Sequence, residues 1–67
     1  MNASLKKEVF KVALRHSKLA YKLKGEAGVI EMRKHLCAYV RGLPGAREMR
    51  EGLVRVNTVR DIEGILY

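Results

Sequence analysis

Two short runs of residues carry most of the chemistry that this sequence offers. The run EMRKH at positions 31–35 places basic and titratable side chains on what its surroundings predict to be a helix. The run GLPGA at 42–46 combines two glycines with a proline, which is typical of a fixed turn. Neither run contains a nucleophile with its base, a phosphate-binding glycine loop or a set of metal ligands. These residues therefore favour adhesion to a polyanion by charge.

The composition limits the size of the molecule and indicates its partner. A length of 67 residues predicts one domain over 1–67, close to the lower limit at which a chain folds alone. The 14 Lys and Arg residues against 7 Asp and Glu give a net charge of +7, which favours nucleic acid as a partner. A large catalytic pocket is not expected in so short a chain, so we expect no enzyme activity from it alone.

Several kinds of protein and site are not expected. No apolar run approaches the roughly 20 residues that span a bilayer, and the start lacks the apolar segment of a signal peptide. We therefore expect a cytoplasmic protein with no membrane partner. The single cysteine, Cys37, is expected to be a small buried residue, and with His16 and His35 it gives no zinc spacing. No catalytic, metal-binding or cofactor-binding residue is predicted.

The apolar period is helical almost throughout, which predicts an all-α fold, a small bundle of about four helices. The first helix should end at Gly25 and begin at a cap provided by Asn2 or Ser4. One apolar stripe recurs at spacings of three and four and is expected to face the core. Its members are Leu5, Val9, Val12, His16, Leu19 and Leu23.

Turn and cap residues predict the later helices. A turn over 24–28 should precede a second helix that starts near Val29 and stops before the GLPGA run. Pro44 can serve as the first residue of the third helix. Thr58 and Asp61 resemble a capping box that opens the fourth. The residues expected to face inward in the third and fourth helices are Ala46, Met49, Leu53, Val59, Ile62 and Leu66.

Helical geometry gathers five basic side chains on one face of the first helix. At about 100° per residue they fall within an arc of about 80°, apart from the apolar stripe. We call this set the basic rail: Lys7, Lys11, Arg15, Lys18 and Lys22. Glu8 is the only acidic residue of the helix, so salt bridges within it do not explain the rail. We interpret the rail as a phosphate-binding surface, with a merely solvated lysine face as the alternative.

A third arc of the first helix holds Phe10, Leu14 and Tyr21. It either packs inside the bundle or docks on a second domain, and both possibilities stay open.

The basic residues of the second helix divide into two roles. Arg33 projects into the apolar arc of the second helix, which is formed by Val29, Leu36, Cys37 and Val40. We expect it to brace the helices there by bonding a partner such as Glu26 or a helix C-terminal carbonyl. Lys34 and Arg41 share an edge away from that arc and are interpreted as phosphate contacts, with a solvated edge as the alternative.

The remaining candidates are histidines and two further arginines. His16 is expected to be a hydrogen-bonded core residue, because it lies on the apolar stripe. His35 lies near Tyr39 on the opposite edge of the second helix; it is expected to be structural, although the pair could stack on an unpaired base. Arg47 and Arg50 follow the turn and extend the basic edge.

The order of these motifs resembles the C-terminal helical domain of bacterial tRNA-dihydrouridine synthases. The resemblance covers roughly residues 16–67 and rests on KGE at 24–26, EMRKH at 31–35, Tyr39 and RGLPGA at 41–46. It implies a longer parent enzyme whose N-terminal barrel binds flavin mononucleotide (FMN) and reduces a uridine in tRNA, with NADPH as reductant. In that family the C-terminal helices grip the tRNA.

By position, the resemblance implies RNA contact, or support for it, at Arg33, Lys34 and His35, and a structural turn over 42–45. It implies no catalytic residue and no cofactor site in this chain. The expected partners are tRNA and the flavin-binding barrel of the same protein. Residues expected to bind RNA are Lys7, Lys11, Arg15, Lys18, Lys22, Arg33, Lys34, His35, Arg41, Arg47 and Arg50.

Two other functions remain as alternatives. The second and third helices, joined by a glycine turn, would also suit a small helix-turn-helix DNA-binding module. A helical protein-interaction module would instead use the arc of Phe10, Leu14 and Tyr21.

Overall fold

A computed structural model describes the backbone of residues 3–67 and the side chains from position 6 onward. In that range the chain forms α1 (Ala3–Lys24), α2 (Glu26–Val40), α3 (Ala46–Leu53) and α4 (Val59–Leu66). α1 packs along α2, α3 packs on α2, and α4 contacts both α1 and α3. No strand occurs in these residues, which confirms the predicted all-α bundle of four helices.

The connection between α1 and α2 is shorter than the predicted turn over 24–28. Gly25 ends α1 as predicted, but α2 already begins at Glu26, so the expected start near Val29 is wrong. Gly25 has a φ of 65°, a left-handed backbone conformation that glycine adopts at little steric cost. This single residue is enough to change the direction of the chain between α1 and α2, so a turn of several residues is not required.

The core face of α1 is not the predicted apolar stripe. Four members of that stripe are exposed instead: His16, together with Val12 by 51%, Leu19 by 53% and Leu23 by 73%. The side chains of α1 that are buried or pack against the core include Val9, Phe10, Ala13, Leu14, Ser17 and Ala20. Small side chains therefore make much of this face.

A close approach of α1 and α2 explains why small residues face the core. A Cβ atom added at Gly28 would overlap the backbone carbonyl oxygen of Ala20, so the two helix backbones nearly touch there. Large side chains would hold the helices apart at this crossing. The buried hydroxyl of Ser17 does not disturb the packing, because it donates to the Ala13 carbonyl oxygen at 2.8 Å.

Three predicted features of the N-terminal turn of α1 lie outside the described side chains. They are the caps Asn2 and Ser4 and the stripe member Leu5.

The arc of Phe10, Leu14 and Tyr21 packs mainly inside the bundle. Phe10 is buried, and its ring meets that of Tyr67 edge to face with 5.9 Å between centroids. Leu14 is half-buried against the core, whereas Tyr21 is exposed. The three residues therefore form no continuous docking face, and the protein-interaction alternative loses the surface on which it depended.

The turn between α2 and α3 contains two glycines with positive φ, 85° at Gly42 and 78° at Gly45. Because Gly45 in this conformation separates Pro44 from the helix, α3 begins at Ala46, and the prediction of Pro44 as its first residue is wrong. The inward residues of α3 and α4 are confirmed. Leu53, Ile62 and Leu66 are buried, and Ala46, Met49 and Val59 pack partly buried against the same core.

The predicted capping box at the start of α4 is confirmed. The Asp61 backbone N–H donates to the Thr58 hydroxyl oxygen at 3.1 Å, and the Asp61 carboxylate accepts from the Thr58 N–H at 3.2 Å. The same carboxylate accepts from the Asn57 N–H at 3.0 Å. The Asn57 N–H is the largest cause that lowers the pKa of Asp61 below its ordinary value of 3.8, and the Thr58 backbone N–H and hydroxyl lower it further.

Candidate nucleic-acid interface

The basic rail is exposed along its whole length on α1. Lys7, Lys22 and the three cations between them all face solvent. Fifteen helical steps of about 1.5 Å give the rail a length of roughly 22 Å. Among the side chains described, ion pairs form only between Lys24 and Glu31 and between Arg47 and Glu51. No carboxylate in this part of the chain therefore neutralises the rail.

A second basic surface lies between α2 and α3. Lys34 and Arg41, predicted to share an edge, line a cavity of about 510 Å³ together with Arg50 of α3. We call these three residues the basic groove. All three are exposed, and none pairs with a carboxylate among the described side chains. The groove thus presents two guanidinium groups and one ammonium group to a common space, which suits bidentate contact with a phosphate.

Arg33 braces this region, as predicted, but with different partners. Its Nε donates to the Val56 carbonyl oxygen at 2.9 Å, and its Nη2 donates to the Asn57 Oδ1 at 2.8 Å. The predicted partners, Glu26 or a helix C-terminal carbonyl, are wrong because α2 lies beside the connection from α3 to α4. Arg33 also lines the groove, so it ties the groove wall to the second half of the chain. Its contact with RNA stays a prediction.

Arg47 stands apart from the groove on α3. It lies 3.9 Å from Glu51 one turn later, and the two side chains are 89% and 72% exposed. An ion pair this long and this solvated contributes little and leaves the guanidinium accessible.

His16 is hydrogen-bonded as predicted but does not lie in the core. It is exposed, because the true core face of α1 is rotated away from the predicted stripe. Its Nδ1 lies 3.1 Å from the Tyr39 hydroxyl, and its ring centroid lies 5.8 Å from that of His35. His35 is exposed beside Tyr39, where the sequence placed it. The structure thus gathers three ring side chains of α1 and α2 at one edge.

One surface next to this edge was not predicted from the sequence. Val12, Leu19 and Leu23 form an exposed apolar strip on α1. In helical projection this strip lies between the basic rail and His16. The small residues of α1, at core-facing positions, are the sequence feature that could have indicated it.

Other kinds of site are not found in the described chain. No three His, Cys, Asp or Glu side chains from position 6 onward are grouped to hold a metal ion. Cys37 is half-buried against the core rather than fully buried. No helix among the described residues combines the length and the apolar character needed to cross a membrane.

Two curated proteins match most of this chain. A probable tRNA-dihydrouridine synthase 1 from Synechocystis sp. is 35% identical over 54 residues, which cover 81% of this chain and 15% of that protein. A probable tRNA-dihydrouridine synthase from Mycobacterium leprae is 35% identical over 60 residues, which cover 88% of this chain and 16% of that protein. No protein-family model and no solved structure matches the chain.

The chain therefore spans less than a fifth of the length of these relatives. Matches to both proteins over most of its residues confirm the resemblance to this family, and the chain belongs to the tRNA-dihydrouridine synthases, as a homologue of one segment of them.

Proposed function

We propose that this chain is the tRNA-binding domain of a flavin-dependent tRNA-dihydrouridine synthase and positions tRNA for reduction of a uridine elsewhere in the enzyme. The observation that carries the proposal is the positive charge of two surfaces, the basic rail and the basic groove, which no carboxylate among the side chains from position 6 onward neutralises. The choice of tRNA as the nucleic acid rests on the names of the two relatives, which are both tRNA-dihydrouridine synthases.

The rail and the groove would contribute to tRNA binding in different ways. The rail is mostly lysine, whose ammonium groups act as mobile point charges and attract a phosphate backbone without fixing its orientation. The groove places Arg41 and Arg50 beside Lys34, and guanidinium forks bind phosphate oxygens in a defined geometry. Because such contacts carry no sequence information, selection of tRNA would rest on its folded shape.

The chemistry would belong to the remainder of the enzyme. In this proposal FMN, reduced by NADPH, supplies the electrons for uridine reduction in a separate flavin-binding barrel. This chain contributes no catalytic residue and acts by holding the RNA. The barrel of the same protein is the second proposed partner, and it would dock on a surface other than the arc that contains the buried Phe10.

Paired charge reversals test the proposal directly. Lys34→Glu with Arg41→Glu removes two groove cations, and Arg55→Glu with Arg60→Glu is the matched control. The control changes the net charge equally at exposed positions that belong to neither surface. Each lost phosphate contact makes the slope of log affinity against log salt shallower by about 0.9. With the two proteins taken to bind equally at about 1 M salt, the loss of two contacts makes the groove variant bind tRNA about 60-fold more weakly at ~0.1 M salt. The control should lose much less.

Melting curves of both variants show whether the fold survives the substitutions. Equal loss of tRNA binding in the folded groove variant and the folded control would contradict a positioned contact. Competition by duplex DNA as effective as that by tRNA would instead favour the helix-turn-helix alternative.

A further inference from the structure

A small cavity between α1 and α2 is not used by the proposed phosphate contacts. It measures about 200 Å³. Leu19 and Leu23 form its lip on α1, and the buried Met32 lies on its α2 side. His16 and His35 also line it. The cavity therefore combines apolar walls with ring nitrogens.

The volume limits what the cavity can hold. Sites for drug-sized ligands and cofactors typically enclose about 300–1,000 Å³. A space of about 200 Å³ is too small for a nucleotide cofactor but suits one planar ring system. Apolar walls favour a ligand with an apolar ring face, because that face leaves water when it packs against them.

Unused hydrogen-bonding groups are available at the cavity. Among the described side chains, the only hydrogen bond to either histidine joins His16 Nδ1 to Tyr39. This leaves Nε2 of His16 and both ring nitrogens of His35 for a ligand. The Lys24 ammonium and the Glu31 carboxylate, 3.0 Å apart, also line the cavity. Donors and acceptors beside an apolar slot match the faces and the edge of a nucleobase.

The cavity also adjoins the basic rail. Lys18 and Lys22 each precede a lip residue, Leu19 and Leu23, by one position in α1. Adjacent helical residues project about 100° apart, so these lysines flank the lip on its outer side. An RNA strand whose phosphates bind the rail would carry its bases past the opening.

We propose that the cavity between α1 and α2 receives one unpaired nucleobase of the RNA whose phosphates bind the basic rail. The proposal rests on the proposed RNA-binding function and adds a base contact to it. Leu19 and Leu23 would pack against the base, and the histidines would bond its edge.

An abasic RNA isolates the base from the phosphates. The probe is a hairpin RNA with one bulged nucleotide, made with each of the four bases and again with an abasic site at the bulge. The phosphate charge is the same in all of them. Stacking of a base on an aromatic ring is worth about 1–3 kcal/mol. Because leucine side chains take the place of the ring here, a bulged base should raise affinity for the protein by an amount near the lower end of that range, about 5-fold over the abasic hairpin.

The chain offers a matched pair of variants for this experiment. Leu19 and Val12 are apolar, lie on the same exposed strip and are 53% and 51% exposed, but only Leu19 lines the cavity. Leu19→Ala should bring the affinity ratio between base-containing and abasic hairpins close to one, and Val12→Ala should leave it unchanged. His35→Ala, at an exposed cavity position, should also reduce the ratio.

The possible results separate this inference from the proposed function. Salt-dependent binding of both hairpins with a ratio near one in the unmodified protein overturns the base site and leaves phosphate binding standing. Equal effects of Leu19→Ala and Val12→Ala also overturn it, because they indicate general apolar contact. Absence of binding to both hairpins and to tRNA contradicts the proposed function itself.

Discussion

The two halves of this molecule bury their helices in different ways. α1 and α2 meet through small residues, with Gly28 against the backbone of Ala20. α3 and α4 instead meet through side chains: Gly52 of α3 lies against the Ile65 side chain of α4, and Leu53 and Ile62 are buried. The first half consequently leaves an apolar strip uncovered beside a row of cations, whereas the second half encloses most of its apolar residues. In the proposed function the first half therefore supplies the rail and one side of the groove, and the second half supplies Arg50 and the partners of the Arg33 brace.

The largest loss of stability is expected from a methyl group added at the α1–α2 crossing. Gly28→Ala places a Cβ atom onto the Ala20 carbonyl oxygen, and backbone cannot move aside as a side chain does. We expect a loss of about 3 kcal/mol, at the upper end of overpacking costs. Melting should occur roughly 12–24 °C lower for a domain of this size. Thermal unfolding followed by circular dichroism measures the change.

Gly64→Ala is the control in the second half. Nothing lies within 4 Å of a Cβ added there, so the same substitution in α4 should stabilise the protein by about 0.5–1 kcal/mol through helix propensity. A Gly28→Ala protein as stable as the unmodified one would show that the two helices are not in backbone contact.

Removal of Arg33, which links α2 to the connection between α3 and α4, should cause the next largest loss of stability. Arg33→Ala deletes charged hydrogen bonds to the Val56 carbonyl and to Asn57. Bonds to a charged group contribute about 1.5–3 kcal/mol, and partial exposure places the expected loss near the low end, about 2 kcal/mol. Chemical denaturation gives the free energy of unfolding. Arg33→Lys keeps the charge without the forked geometry and should recover only part of the loss. Unchanged stability with abolished tRNA binding would mean that Arg33 is an RNA contact instead of a brace.

The cap of α4 should show a smaller effect, confined to the second half. Thr58→Ala removes the side chain that accepts from the Asp61 N–H, and loss of such a cap typically costs about 1 kcal/mol. Denaturant titration at neutral pH measures it. Unfolding at the same denaturant concentration as the unmodified protein would show that the cap is unimportant to the bundle.

The Asp61 carboxylate gives the same cap a pH dependence. Because its folded-state pKa is lowered below 3.8, chiefly by the Asn57 N–H, its contribution to stability is present above that pH and is lost as pH falls through the folded pKa. Asp61→Asn should therefore melt earlier than the unmodified protein at neutral pH, and the difference should shrink below pH 3.8. A difference that stays constant into acid would contradict this assignment.

Features that depend on only a few neighbouring residues could be predicted from the sequence. The capping box needs only the four positions from Thr58 to Asp61, and α4 follows from it with Ile62 and Leu66 inward. The rail likewise depends on helical geometry within α1 alone, so its exposure could be expected. The resemblance to the synthases could also be recognised from the sequence, because it rests on short runs, EMRKH and RGLPGA, and on their order in the chain.

Features that depend on how helices meet could not be read in the same way. Counting large apolar residues gave α1 the wrong core face, because the close crossing at Gly28 selects small side chains. The basic groove could not be predicted from the sequence either. It has residues from two helices, and Arg50 joins it only because α3 packs on α2. His16 was placed in the core for the same reason, and its bond to Tyr39 at the surface depends on the true rotation of α1.

The most direct test of phosphate binding by the rail and the groove is the salt dependence of tRNA affinity. If the rail and groove together neutralise about four phosphates, log affinity should fall against log salt with a slope of roughly −3 to −4, at about 0.7–0.9 per contact. Lys34→Glu with Arg41→Glu should make this slope shallower by nearly two, whereas the Arg55 and Arg60 control should preserve it. A flat salt profile for the unmodified protein would contradict phosphate binding by these surfaces.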